Sequence, residues 1–147
     1  MSEQITVKGT GACACGAVRF EFDGPARPVI ACHCNTCRRT SGHYWASTQV
    51  YERDLKMIAD AGLKWFRSSD FARRGFCGEC GSSLFFQPDD SGRVSIAGGA
   101  LDAPTGLRLT EHIGTAEAGD YYQIESGPDQ SAGMEISERW RLPPVTG

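Results

Sequence analysis

Seven cysteines gathered into three short clusters constrain this chain more than any other feature. They are Cys13-Ala14-Cys15, Cys32-His33-Cys34-Asn35-Thr36-Cys37 and Cys77-Gly78-Glu79-Cys80-Gly81, and no cysteine lies outside them. Sulfurs one or two residues apart can chelate a single ion, because tetrahedral zinc with bonds of ~2.3 Å holds its ligand sulfurs roughly 3.8 Å apart. In an extended C-x-C segment positions i and i+2 point to the same face. In a C-x-x-C knuckle a tight turn converges both thiolates, and Gly81 is expected to let the backbone close in behind the second one. One such pinch is a weak signal. Three in a small chain point to zinc.

The redox argument agrees. Seven cysteines cannot all pair, and their tight local spacing suits a disulfide framework poorly. Residues 1–4 show no basic stretch followed by an apolar one, and no apolar run approaches the roughly 20 residues of a membrane helix. The expected compartment is the cytoplasm, where thiols stay reduced. A formal charge of -3 and a pI near 5.6 argue against a nucleic-acid or anionic-membrane surface. At 147 residues the chain is read as one domain, 1–147, long enough to bury a core.

Short runs of Val, Ile, Phe and Tyr between glycines predict a mainly β fold. Strands are expected at residues 4–8, 17–22 and 29–31, with Asp23-Gly24-Pro25 as a turn between the last two. Residues 34–41 fit one or two helical turns stopped by Gly42. Residues 44–51 and 63–67 read as strands, 55–58 as either strand or helix, and 83–87 with 93–97 as a hairpin. Beyond Gly98 only 107–109 and 121–124 are suggestive. Residues 127–147 are loosely patterned, a tail or an arm packed on the surface.

Seven thiolates divide into one closed four-ligand site and one three-ligand site. Closed sites staple folds, whereas a site with an open position can do chemistry. Cys32, Cys34 and Cys37 can gather without help from distant chain. Cys13/Cys15 and Cys77/Cys80 would then join across the fold and close a long loop. A swapped arrangement, in which Cys13/Cys15 share a metal with part of the middle cluster, stays open at this level. His33 alternates with Cys32 and Cys34 and is a poor co-ligand; His43 could loop back as a fourth ligand, but reads better as a loop histidine.

Three stretches carry a family resemblance: residues 11–18 (GACACGAV), 32–42 (CHCNTCRRTSG) and 74–84 (RGFCGECGSSL). Phe66-Arg67-Ser68-Ser69, Gly99-Ala100-Leu101-Asp102 and His112-Ile113 add to it. Over about residues 9–125 the chain resembles the glutathione-dependent formaldehyde-activating enzymes, which include the centromere protein V relatives. The resemblance implies a small antiparallel β-tent stapled by zinc. It implies a structural zinc on Cys13, Cys15, Cys77 and Cys80, and a second zinc on Cys32, Cys34 and Cys37 near the active site. The implied chemistry is that of a carbon–sulfur lyase joining glutathione, or another small thiol, to formaldehyde or a similar small aldehyde, giving S-hydroxymethylglutathione.

The chemistry also follows from the residues. Thiolate adds to a carbonyl carbon, and a coordinated thiol is deprotonated outright. Three cysteine thiolates already over-neutralise Zn²⁺, so nearby cations must offset a fourth. Arg38 and Arg39 directly follow the cluster and could also bind a glutathione carboxylate; Arg73 and Arg74 have the same ambiguity. Tyr44, Trp45 and Phe76 read as core before substrate wall. Glu79, Asp102 and Glu111 are the acidic candidates for a general base. The alternative from another class is a non-enzymatic zinc scaffold that binds a protein partner. A thiol–disulfide oxidoreductase is disfavoured, since no thioredoxin-like βαβ pattern flanks the clusters.

Overall fold

The computed structural model describes residues 5–145, and strands dominate them. In chain order they are β1 (Ile5–Ala12), β2 (Arg19–Cys32), β3 (Trp45–Tyr51), β4 (Leu55–Ala59), β5 (Leu63–Arg67), β6 (Ala72–Cys77), β7 (Ser83–Pro88), β8 (Arg93–Ala97), β9 (Leu109–Ile113) and β10 (Asp129–Gln130). A single α-helix among the described residues, α1 (Asn35–Ser41), lies between β2 and β3. All strands join one sheet in the order β10-β9-β2-β3-β8-β7-β6-β5, with β1 and β4 each paired to β2 off that path. The mainly β expectation is met. The pairing is antiparallel except where β9 runs parallel to both β2 and β10. Residues 98–108 carry the chain across from β8 before β9 starts, which leaves β9 running the same way as β2.

β2 organises the sheet. Its first half pairs with β1 and β4, its second half with β3 and β9. The turn expected at Asp23-Gly24-Pro25 is absent: Gly24 lies opposite Val7 and Pro25 opposite Thr6, in register with β1. Gly24 is required for a different reason. A Cβ at this position would lie 2.3 Å from Asp54 Oδ2, so the missing side chain is what lets that carboxylate pack against the strand. A register shift between Arg27 and Ile30 bends the strand where it changes partners.

The two halves of β2 serve two cores. Phe20 and Phe22 pack with Val7, Val18, Leu84, Phe85 and Ile96, and Cys13 and Cys77 belong to the same cluster. Ile30 packs with Trp45, Ala97 and Ile113 around Cys32 and Cys37. Each core therefore carries one group of cysteines.

The start of the first expected strand, Gln4, and the last two residues of the C-terminal arm lie outside the described residues. The rest of the arm packs onto the sheet. Leu142 is 1% exposed, its carbonyl accepts from Arg93 Nη1 at 3.0 Å, and the Pro143 carbonyl accepts from Tyr51 Oη at 2.7 Å. Ile136 and Trp140 rest against the second core. Residues 55–58 resolve as strand because β2 offers them a free edge. Residues 121–124 form no strand.

Candidate metal centre

The first group of sulfurs is built by two local turns. After β1 the chain folds back on itself, with the Gly16 N–H reaching the Cys13 carbonyl at 3.3 Å and the Val18 N–H donating to Cys13 Sγ at 3.2 Å. After β6 the knuckle closes through Gly81 N–H to the Cys77 carbonyl at 2.7 Å. Gly81 has φ of 80°, and a Cβ there would meet nothing within 4 Å. The glycine thus serves a left-handed turn and not the close backbone approach expected from the sequence.

The sulfurs of Cys13, Cys15, Cys77 and Cys80 all lie within 4.8 Å of one another, with Cys13–Cys15 at 3.7 Å and Cys15–Cys77 at 3.8 Å. That matches the roughly 3.8 Å edge of a tetrahedral zinc–thiolate site, so spacing and donor set both fit the metal. Cys77 is fully buried, while Cys15 and Cys80 are exposed. Hydrogen bonds from the Ser82 hydroxyl and backbone N–H hold the Cys80 thiol down to about 5. The sulfurs group as these four and a separate three, so the fold does not bring together the swapped arrangement.

The second group is assembled by a helix cap. Cys32 ends β2; Cys34 caps α1, its Sγ accepting from the Cys37 N–H at 3.4 Å; and Gly42, with φ of 89°, ends the helix as expected. Cys32, Cys34 and Cys37 sulfurs lie within 4.8 Å of one another. Hydrogen bonds from Cys32 and Cys37 pull the Cys34 thiol far down, and the same contacts with burial push Cys32 far up. Holding all three as thiolates takes a cation, which is the donor chemistry of a soft divalent metal.

His33 turns away from the sulfurs, as its alternation with them predicts. Its Nδ1 pairs with the Tyr122 hydroxyl, and its Nε2 lies 2.8 Å from His112 Nδ1. His43 Nδ1 lies 2.5 Å from the Tyr121 hydroxyl, so it is engaged by the C-terminal segment. All three histidines and three of the four tyrosines form this one cluster. Burial, with the charges of His112 and His43, holds His33 down to about 4, so the ring is neutral. Sequence reasoning missed the cluster because its partners lie 78 to 89 residues apart.

Beside the three-sulfur group opens a cavity of about 360 Å³, lined by Cys32, Cys34 and Cys37; no cysteine of the other group lines it. That volume lies at the lower end of small-molecule sites. Trp45, Phe86, Ile113, Met134 and Ile136 form apolar walls, so Trp45 is both core and wall. Met134 and Ile136 come from the arm, which sequence patterning left unplaced. The arginines that line the cavity are Arg27 and Arg74. Arg38 and Arg39 instead donate to Asn35 Oδ1, at 3.4 and 3.1 Å, on α1 outside the lining. Arg73 stacks over Trp65 at 3.9 Å. Tyr44 joins the histidines, and Phe76 packs on Phe66.

The acidic candidates stand elsewhere. Asp102 accepts from the Thr10 hydroxyl at 2.6 Å, Glu79 sits exposed in its knuckle, and Glu111 accepts from the Ser137 N–H at 2.9 Å. Burial pushes the Glu111 carboxyl up.

The family profile of the glutathione-dependent formaldehyde-activating enzymes matches residues 8–117, which takes in both sulfur groups and most of the sheet. The chain belongs to this family. A protein of Halomonas elongata named "Putative glutathione-dependent formaldehyde-activating enzyme" is 28% identical over 137 residues, covering 79% of this chain and 80% of that one. An uncharacterised lyase of Schizosaccharomyces pombe is 31% identical over 77 residues, 52% of this chain and 55% of the yeast protein. A Rhodobacter sphaeroides protein of known crystal structure shares the fold, with a TM-score of 0.55 at 22% identity over 69% of this chain and 99% of that one. Among the described residues no helix is long and apolar enough to cross a membrane.

Proposed function

We propose that this single-domain protein is a cytoplasmic, zinc-dependent carbon–sulfur lyase that joins glutathione to formaldehyde or a similar small aldehyde. The observation that carries the reading is the asymmetry of the two sulfur groups. Cys13, Cys15, Cys77 and Cys80 make a complete four-thiolate set, anchored in the first core through Cys13 and Cys77 and suited to a closed structural zinc. Cys32, Cys34 and Cys37 make a three-thiolate set that faces a cavity.

When bound at the second set, zinc supplies the positive charge that keeps a captured thiol deprotonated. The cysteines fix its position, since two are held by the end of β2 and the cap of α1. Trp45, Phe86 and Ile113 give the cavity apolar walls, and a ligand that displaces water there meets stronger electrostatic contacts. Arg74 donates from Nη2 to Cys37 Sγ at 3.3 Å and offsets the excess negative charge of the thiolates. In the addition the thiolate sulfur bonds to the aldehyde carbon and the carbonyl π pair moves to oxygen. That oxygen takes the proton the thiol released. Among the described residues no carboxylate or histidine lines the cavity, and solvent at its mouth is the proton's route in this reading. The reverse reaction breaks the same carbon–sulfur bond.

The test is exchange NMR with ¹³C-formaldehyde and glutathione. Zinc-loaded protein should speed interconversion of free formaldehyde and S-hydroxymethylglutathione beyond the spontaneous rate, and a folded Cys34→Ala variant should not. An exchange rate that the protein leaves unchanged sinks the enzyme reading and favours a zinc scaffold.

A further inference from the structure

Two guanidinium groups line the cavity, and both are more than nine-tenths buried: Arg27 is 4% exposed and Arg74 is 6% exposed. Among the described residues, neither has a carboxylate within 4.0 Å. Arg27 spends its terminal nitrogens on the Ser47 and Pro28 carbonyls, at 2.6 and 3.1 Å, and on the Ser47 hydroxyl at 3.3 Å. Burial lowers it to about 10, which still leaves it charged at neutral pH. The Arg74 guanidinium lies over the Phe86 and Trp45 rings, 4.9 and 5.5 Å from their centroids, and among the described residues it donates to Cys37 Sγ. Its Nε and Nη1 have no partner among the described residues. Buried donors are almost always satisfied, so two orphans on one buried cation mark a place where something else binds.

The rest of the lining narrows what that is. Among the described residues it holds no Asp, Glu or His, and its walls are largely apolar. Against the single excess negative charge of a zinc-loaded three-thiolate set, two guanidiniums leave the lining net positive, so an entering anion is favoured. An ammonium group would meet that positive balance with no carboxylate to answer it, a like-charge encounter.

We propose that Arg74 anchors a substrate carboxylate, and that the part of the substrate entering the cavity carries a carboxylate and no ammonium. The inference rests on the proposed function only in placing substrate in this cavity. Applied to glutathione, the cysteinyl-glycine end goes in, with its glycyl carboxylate on Arg74. The γ-glutamyl ammonium stays at the mouth. Arg74 already touches Cys37 Sγ, so the carboxylate and the thiol must be close together in the bound molecule, and short mercapto acids satisfy that as well as glutathione does.

The test uses the zinc-loaded full chain and thioethers, which cannot be deprotonated at sulfur, so that binding reports the other end of the molecule. 3-(Methylthio)propanoate, its amide and 3-(methylthio)propylamine are titrated by chemical-shift perturbation. The carboxylate should bind about tenfold or more tightly than the amide, and the amine should not bind at the cavity. Arg74→Gln should abolish the carboxylate-over-amide preference, whereas Arg39→Gln should keep it. Equal binding of the three ligands, no binding of the carboxylate, or a folded Arg74→Gln protein that keeps the full preference overturns the proposal. If Arg74→Gln does not fold, the ligand series on the unaltered protein decides alone. Failure of the lyase reading would show instead as unaccelerated formaldehyde exchange, with this preference intact.

Discussion

Gly62→Ala probes how rigidly the four-sulfur group is held. Gly62 lies in the turn before β5, its N–H bonded to the Ala17 carbonyl at 3.3 Å and its own carbonyl accepting from the Gly78 N–H at 2.7 Å. Its backbone therefore ties the first cysteine turn to the knuckle. A Cβ added there would sit 2.9 Å from both Ala17 Cβ and Cys77 Sγ. Against the 3.4 Å at which ordinary contact begins, each is short by 3.4 − 2.9 = 0.5 Å. Ala17 Cβ moves only with backbone, and a metal-bound Cys77 sulfur cannot swing aside. Overpacking of this kind costs about 1–3 kcal/mol. The lost freedom of the unfolded glycine returns about 0.4–1 kcal/mol. The net is a destabilisation of roughly 1–2 kcal/mol, or about 0.5–1 M in the urea midpoint. Urea unfolding of zinc-loaded protein by tryptophan fluorescence reads it, with Gly99→Ala as control, because a Cβ at Gly99 meets nothing within 4 Å. A Gly62→Ala midpoint equal to that of Gly99→Ala, with zinc present, refutes the packing argument.

Two further perturbations address the C-terminal segment. Leu142→Ala empties a fully packed site at the end of the arm and should cost about 2–4 kcal/mol in equilibrium unfolding; a loss below about 0.5 kcal/mol would mean the arm is not docked in solution. Tyr122→Phe removes the hydroxyl that partners buried His33 and should cost about 1–2 kcal/mol with zinc content unchanged; unaltered thermal stability would show that water or another group replaces that hydroxyl.

Elements whose cause is local were legible in the sequence. The α1 helix follows from a capping side chain at Cys34 and a left-handed Gly42, both a few residues apart, and β5 was placed to its end residues. The two sulfur groupings were legible for the same reason, since each pinch is made by neighbours. What escaped depends on distant partners. Gly24-Pro25 looks like a turn until β1 is laid beside it and Asp54 is seen to need the space of a side chain. Which arginine enters the cavity is a matter of strand phase. Arg73 and Arg74 are adjacent in β6 and point to opposite faces, one to Trp65 and the other to Cys37. Arg38 and Arg39 sit closer in sequence to the cluster, but the helix turns them onto Asn35. Ile136, Trp140 and Leu142 are scattered singly through a polar segment, with no period to announce that they pack.

The central claim is that one sulfur group staples the fold while the other serves the cavity. Zinc per chain, measured by elemental analysis on the unaltered protein, Cys80→Ala and Cys34→Ala alongside far-ultraviolet circular dichroism, tests it most directly. The account predicts two zincs in the unaltered protein, a folded Cys34→Ala protein that keeps one, and a Cys80→Ala protein that loses its β signal. A folded Cys80→Ala protein with full zinc, or a Cys34→Ala protein that unfolds, would contradict it.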